Sequence, residues 1–217
     1  SKLLNPERPF VFIVAGAKAD KIGALKVLSK KADKILVGGV LANTFLKAKG
    51  IDIGASKFDE ETFNIAKELI GLVGKKLLLP VDNIVADKFD NSANTQVVTV
   101  DKTPKEWMAL DIGPETIKNY KNELKDAKTI FWAGPLGAFE VERFSKGTKE
   151  IGEFLGTLQA TVIAGGGDTA AAINTFQLSN KITHVSTGGG ASLEFIEKEG
   201  KLPGLVALED AYVKSKE

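Results

Sequence analysis

Five consecutive residues that follow a predicted strand carry the sharpest chemical signal of this sequence. They are Gly165, Gly166, Gly167, Asp168 and Thr169. Glycines let a ligand approach the backbone closely, and the free N–H groups that begin a helix attract an anion. Two interpretations remain open. Asp168 either holds Mg²⁺ that bridges phosphate oxygens, or it only caps the helix, with Thr169 as a helix starter.

Two lysines, Lys18 and Lys21, follow the first predicted strand and are the nearest cations. A single lysine at the start of a helix usually points into solvent. At an edge of a sheet that carries several glycine turns, the same lysine is a candidate for binding phosphate oxygens.

Small residues also follow the other apolar strands. Five strand ends share this feature, at residues 15–17, 38–39, 133–134, 165–167 and 188–190. In an open parallel sheet the carboxyl ends of the strands meet at one edge, where ligands bind. One such turn is usually a tight connection only, but five on one edge favour a polyphosphate site.

Neither common nucleotide-binding fingerprint occurs. The sequence has no G-x-x-x-x-G-K-[ST] stretch and no G-x-G-x-x-G after its first strand. A P-loop NTPase and a simple dinucleotide-dependent dehydrogenase are therefore disfavoured.

The elements that must position these residues alternate between short apolar strands and helices. Strands are predicted at 10–14, 34–39, 76–80, 129–134, 161–167 and 183–190, with short extra strands within 83–101. Helices are predicted at 20–31, 40–49, 59–73, 114–124, 146–156, 168–177 and 191–198. This alternation predicts a single α/β domain, a Rossmann-like three-layer sandwich of about six parallel strands with helices on both faces.

Composition excludes several classes of function. The 217 residues contain 29 Lys and Arg against 28 Asp and Glu, so the net charge of +1 predicts no binding to nucleic acid or to an anionic membrane. There is no Cys and one His, which excludes a disulfide framework, a thiolate zinc site and a multi-histidine metal site. The longest apolar runs are too short to span a bilayer, and we expect a cytoplasmic protein.

Long blocks of the sequence resemble the nucleotide-binding, C-terminal domain of phosphoglycerate kinases. They follow the order of that family from near residue 8 to near residue 208. The blocks are AGAKADKIG, VGGVLANTFLKAKG, LLLPVDNIVADKF, WMALDIGPET, WAGPLGAFEVERFSKGT, AGGGDTAAA, HVSTGGGASLEF and LPGLVAL.

The resemblance implies roles for individual residues. Lys18 matches the lysine that reaches the nucleotide phosphates, and Lys21 the lysine that steadies the phosphoryl group in transfer. Asp168 matches the Mg²⁺ ligand and Glu140 the glutamate that binds the ribose. The other implied nucleotide-binding residues are Gly16, Ala17, Gly38, Gly39, Leu110, Pro135, Gly137, Ala138, Gly166, Gly167 and Thr169. Gly167 and Gly190 are implied, with Lys21, to face the reacting phosphate.

The sequence departs from the family pattern at four functional positions. Val40 and Ala109 each replace a glycine of the family, and the resemblance implies that this narrows the adenine slot slightly. The usual G-G-A-K-x-x-D-K is one residue shorter here, so Lys18 and Lys21 stand three apart instead of four. The usual W-N-G-P has Ala133 in place of the amide side chain. The shorter turn affects the expected role of Lys21 more than that of Lys18.

The resemblance implies reversible phosphoryl transfer between 1,3-bisphosphoglycerate and ADP in glycolysis, with ATP or ADP and Mg²⁺ bound. No segment resembles the N-terminal, 3-phosphoglycerate-binding domain of that family, and the first residue is Ser1. We expect a fragment of the enzyme, monomeric or weakly self-associating, that binds nucleotide without turnover. A kinase completed by the N-terminal domain as a partner, and a scaffold that has lost nucleotide binding, are the alternatives.

Overall fold

The computed structural model describes residues 2–16, 21–188, 194–196, 198 and 200–202; of residues 21–24 it describes the backbone alone. The strands are β1 (Phe10–Val14), β2 (Lys34–Val37), β3 (Leu77–Leu78), β4 (Asp82–Ala86), β5 (Thr95–Thr99), β6 (Met108–Ile112), β7 (Thr129–Ala133), β8 (Thr161–Gly165) and β9 (His184–Ser186). Six of them form one sheet in the order β3-β2-β1-β7-β8-β9, parallel throughout. The predicted parallel sheet of about six strands is confirmed.

Helices connect the strands and cover the sheet. They are α1 (Lys21–Lys31), α2 (Gly39–Ala48), α3 (Glu60–Val73), α4 (Pro114–Leu124), α5 (Lys146–Leu155) and α6 (Gly167–Thr175). Of the helix predicted at 191–198, residues 194–196 and 198 are described; residues 194–196 are helical and Lys198 lies in a turn. No helix within the described ranges is long and apolar enough to cross a membrane.

Each face of the large sheet packs against its own apolar core. Phe10, Phe12 and Val14 of β1 pack on one face, in a core shared with α1, α2 and α3. Val11 and Ile13 pack on the other face, with α4, α5 and α6. Successive side chains of a strand point to opposite faces, so the continuous apolar run of β1 is what a strand covered on both sides requires. The predicted three-layer α/β architecture is confirmed.

A second, smaller sheet has three antiparallel strands in the order β5-β4-β6. The pattern within 83–101 predicts β4 and β5, but no strand is predicted at β6. The reason is that β6 carries Asp111 among its inward-facing residues, and an aspartate is unfavourable in a strand unless the tertiary structure supplies partners.

Two buried aspartates join the small sheet to helices that pack on the large one. Asp82 in β4 accepts hydrogen bonds from the N–H groups of Glu115 (3.0 Å) and Thr116 (2.8 Å), at the start of α4. Asp111 in β6 accepts one from the N–H of Gly147 (2.8 Å), at the start of α5. Neither helix has a side-chain hydrogen bond from its own N-cap residue. Each aspartate therefore supplies, from a distant strand, an acceptor for the helix N-terminus.

Candidate functional site

A cleft of about 230 Å³ opens at the edge where the parallel strands end. Its lining consists of Gly16, Gly39, Val40, Ala109, Leu110, Pro135, Gly137, Ala138, Glu140 and Asp168. All of these except Val40 and Ala109 are residues that the resemblance singles out as nucleotide-binding. Those two are the positions at which an apolar side chain replaces a glycine of the family, and both line the cleft. One cleft thus gathers residues from the ends of β1, β2, β7 and β8 and from β6.

Close approach of two turns shapes one side of the cleft. The backbone of Gly39 has φ +60°, and a Cβ there would lie 2.9 Å from the amide nitrogen of Gly16. The N–H of Leu41 donates to the carbonyl of Gly16 (3.1 Å). A side chain at Gly39 would separate the two turns, so glycine is required at this position.

Gly38 has a packing role beside the cleft instead of lining it. A Cβ at Gly38 would come within 2.5 Å of the Leu136 side chain, and the backbone N–H of Gly39 donates to the Leu136 carbonyl at 3.1 Å. The glycine therefore lets the end of β2 approach the loop after β7.

Two buried threonines hold that loop, residues 134–137. The hydroxyl of Thr169 accepts from the N–H of Gly134 (2.7 Å) and donates to the carbonyl of Gly165 (2.9 Å). The hydroxyl of Thr148 accepts from the N–H groups of Leu136 (3.0 Å) and Gly137 (3.2 Å). The Thr169 hydroxyl is thus engaged by two backbone groups. Sequence patterns gave no indication of Thr148.

Asp168 stands in the first turn of α6, exposed at the cleft. Gly166 is the N-cap residue, with φ 110° and ψ 146°, and Asp168 is the second residue of the helix. The interpretation of Asp168 as the helix cap is therefore wrong. The first N–H groups of a helix lack partners within the helix, and together with the helix dipole they favour an anion here.

The carboxylates of the cleft fit Mg²⁺ bound together with phosphate. Asp168 and Glu140 line the cleft, and among the described residues no group of three or more His, Cys, Asp or Glu could hold a metal by itself. Mg²⁺ is commonly held by one or two carboxylates, with water and substrate phosphates completing its ligands. Carboxylates of this number fit Mg²⁺ whose remaining ligands come from outside the protein.

Asp111 lies behind the cleft wall that Leu110 and Gly137 form. It is 4% exposed, and burial raises its pKa to about 8, although the N–H groups of Gly147 and Ile112 act in the opposite direction. On α5, Glu150 raises this pKa further and Lys146 lowers it. Because the pKa in the folded chain exceeds the ordinary 3.8, the stability from this group is complete below that value and is lost as the pH rises through about 8.

The other predicted site residues either lie outside the described residues or do not line the cleft. Ala17, Lys18 and Gly190 lie outside the described residues, and for Lys21 only the backbone, the first residue of α1, is described. Gly166 and Gly167 form the start of α6. The family asparagine position is occupied by Ala133, which is 1% exposed at the end of β7 and brings no polar side chain to the cleft.

Comparison with known proteins shows a single family. The family model "Phosphoglycerate kinase" matches residues 1–200. The phosphoglycerate kinase of Limosilactobacillus reuteri is 54% identical over 208 residues, which cover 95% of this chain and 51% of that protein. The enzyme of Limosilactobacillus fermentum is 55% identical over the same length, with the same coverage. The chain spans about half the length of the curated relatives it matches.

Solved structures agree with this result. The phosphoglycerate kinase of Coxiella burnetii superposes with a TM-score of 0.89 at 41% identity, covering 94% of this chain and 55% of that one. The phosphoglycerate kinase of Pyrococcus horikoshii gives a TM-score of 0.85 at 30% identity, covering 98% of this chain and 55% of the other.

Proposed function

The chain belongs to the phosphoglycerate kinase family, and on that premise we propose that its cleft binds Mg-ADP and Mg-ATP. The observation that carries the proposal is the cleft itself, which joins apolar walls to the N-terminus of α6 and to Asp168. Apolar walls suit the base of a nucleotide, and a helix N-terminus suits its phosphates.

Each part of the cleft has a proposed task. Leu110, Gly137 and Ala138 enclose the base, and Glu140 accepts hydrogen bonds from the ribose hydroxyls. The N–H groups at Gly167 and Thr169 orient the phosphates. Bound at Asp168, Mg²⁺ would neutralise charge on the phosphate oxygens.

The reaction proposed for the complete protein is phosphoryl transfer between 1,3-bisphosphoglycerate and ADP, a step of glycolysis. Phosphoryl transfer depends mainly on in-line placement and on charge neutralisation. This chain's residues supply the nucleotide side of that arrangement: they hold the nucleotide, orient its phosphates and offset their charge. The acceptor side is proposed to lie in the half of the relatives that this chain does not cover, which the resemblance identifies as the N-terminal domain.

A second candidate function is a nucleotide-binding module that does not turn over. This candidate is favoured because the chain covers only about half the length of its relatives. The two candidates differ in turnover and not in binding, so nucleotide binding has to be tested first.

Titration of Mg-ADP into the purified chain, followed by calorimetry, tests the proposal. We expect saturable binding of one ADP per chain. Ala138 is part of the lining and only half-buried, so Ala138→Trp should fill the cleft and abolish binding while the far-UV circular dichroism stays unchanged. Undiminished binding by a folded Ala138→Trp variant would place the nucleotide elsewhere.

The two lysines of the shortened turn should differ in their effect. If Lys18 binds the phosphates, Lys18→Ala loses a charge-assisted contact worth roughly 1.5–3 kcal/mol. Lys21→Ala should cost less ADP affinity, because the missing residue displaces Lys21 relative to the family spacing. Calorimetric dissociation constants of both variants decide the order, and a larger loss for Lys21→Ala would show that Lys21 occupies the phosphate position.

A further inference from the structure

A buried carboxyl group lies directly behind the wall of the cleft. Asp111 follows Leu110, a cleft residue, in β6, and it is 4% exposed. It is not among the residues for which the resemblance implies a role, and it does not itself line the cleft.

Three segments of the chain meet on the Asp111 carboxyl group. One oxygen accepts the N–H of Gly147 at the start of α5 (2.8 Å), and the other accepts the N–H of Ile112 (2.9 Å). The α-carbon of Gly137 packs so closely that a Cβ there would overlap the carboxyl group, and a Cβ at Gly147 would meet it as well. The carboxyl group thus fills the space between β6, the loop after β7 and the start of α5.

The same contacts fix the position of one wall of the cleft. Leu110 from β6 and Gly137 and Ala138 from the loop after β7 form this wall together. The N–H of Ala138 donates to the carbonyl of Leu110 at 2.8 Å, next to the point where Gly137 rests on Asp111. A change in the size or hydrogen bonding of residue 111 is therefore transmitted to both segments of this wall.

The phosphate end of the cleft is held by other contacts. Thr169 joins Gly134 to Gly165, and Gly166 begins α6. No hydrogen bond among the described residues joins Asp111 to α6 or to its N-terminus. Asp111 thus supports the loop after β7 at its Gly137 end, whereas Thr169 supports it at its Gly134 end.

We infer that Asp111 is a positioning residue for the base-binding part of the cleft: it holds the wall at Leu110, Gly137 and Ala138 in place without touching the nucleotide. This inference rests on the proposed function. Its consequence is selective: loss of the Asp111 contacts should weaken the binding of nucleotides but not of the phosphate groups alone.

The experiment compares two ligands, Mg-ADP and Mg-pyrophosphate, which share the phosphates and differ in the nucleoside. In the full chain, Asp111→Asn keeps the shape of the side chain but replaces one acceptor oxygen by a donor that faces an N–H. We expect it to weaken Mg-ADP by about tenfold, the equivalent of one lost hydrogen bond. Its affinity for Mg-pyrophosphate should stay within about twofold of the wild type.

Asp82→Asn is the matched control, because Asp82 is also buried and also supports a helix N-terminus from the small sheet. It is not part of the cleft lining. It should lower the thermal midpoint of unfolding yet leave the ratio of the two affinities unchanged. A merely structural role for Asp111 would make the two variants behave alike.

The outcomes separate the inference from the proposed function. If the wild type binds neither ligand, the nucleotide site itself is wrong and the inference fails with it. If the wild type binds both ligands, and the folded Asp111→Asn variant loses affinity for both equally or for neither, the inference alone is wrong. The inference is supported if Asp111→Asn loses affinity for Mg-ADP alone while Asp82→Asn keeps the wild-type ratio of the affinities for Mg-ADP and Mg-pyrophosphate.

Discussion

The 217-residue chain on its own is expected to bind Mg-ATP and yet to transfer no phosphoryl group to 3-phosphoglycerate. Its matched relatives are about twice as long, and it corresponds to one half of each. The residues proposed for nucleotide binding lie in this half, whereas the acceptor is expected to bind to the other half. Without the other half, the two reactants are not held in position relative to each other. Such positioning lowers the activation barrier by roughly 7–11 kcal/mol.

A coupled assay with ATP and 3-phosphoglycerate measures this expectation. The full-length enzyme of Limosilactobacillus reuteri, assayed in parallel, is the positive control. Activity of the chain alone within about tenfold of that enzyme would contradict the prediction, because it would require the acceptor to be positioned without a second half. Mixing with a separately produced N-terminal half of that relative distinguishes the two candidate functions: restored turnover indicates a kinase half that can be completed in trans.

Asp168→Asn should remove most of the advantage that Mg²⁺ gives to ADP binding. The exchange keeps the shape of an exposed side chain that lines the cleft but removes the charge that a metal ligand needs. A charge-assisted contact of roughly 1.5–3 kcal/mol corresponds to about a tenfold to hundredfold loss of affinity. ADP affinity measured by calorimetry with Mg²⁺, and again with excess EDTA, gives this advantage as a ratio.

The structure also predicts that this variant folds. Gly166, not Asp168, is the N-cap residue of α6, and the Thr169 hydroxyl retains its contacts with Gly134 and Gly165. Asp126→Asn, an exposed aspartate just after α4, is the matched control and should leave the ratio unchanged. An Asp168→Asn variant with the wild-type ratio would show that the Mg²⁺ ligand lies elsewhere.

The sequence alone predicted the large sheet well. Runs such as residues 10–14 and 130–133 are apolar at every position, which strands of a parallel sheet require when helices cover both faces. Glycines after strands of this sheet, among them Gly16 and Gly39, indicate the edge at which a ligand is expected, since the carboxyl ends of parallel strands share one edge. Both signals are local, and a residue pattern can carry them.

Contacts between distant segments could not be predicted in the same way. Thr148 supports the loop at Leu136 and Gly137 through its hydroxyl, and nothing in its neighbourhood along the chain indicates this. Thr169 does stand in a recognisable segment, but its hydroxyl is directed to Gly134, which lies on another strand end. Hydrogen bonds between side chains and remote backbone depend on the packed arrangement and have no spacing signature.

The sequence by itself determined the α/β alternation, the glycine-rich edge and the resemblance that points to a nucleotide, because these follow from residue types and from spacing along the chain. Only the tertiary structure decided that Asp168 is not a helix cap, that β6 forms a wall of the cleft and that Asp111 stands behind that wall. A buried aspartate is unfavourable in a strand until α5 and Ile112 supply its hydrogen-bond donors. Those donors come together only when the chain has folded.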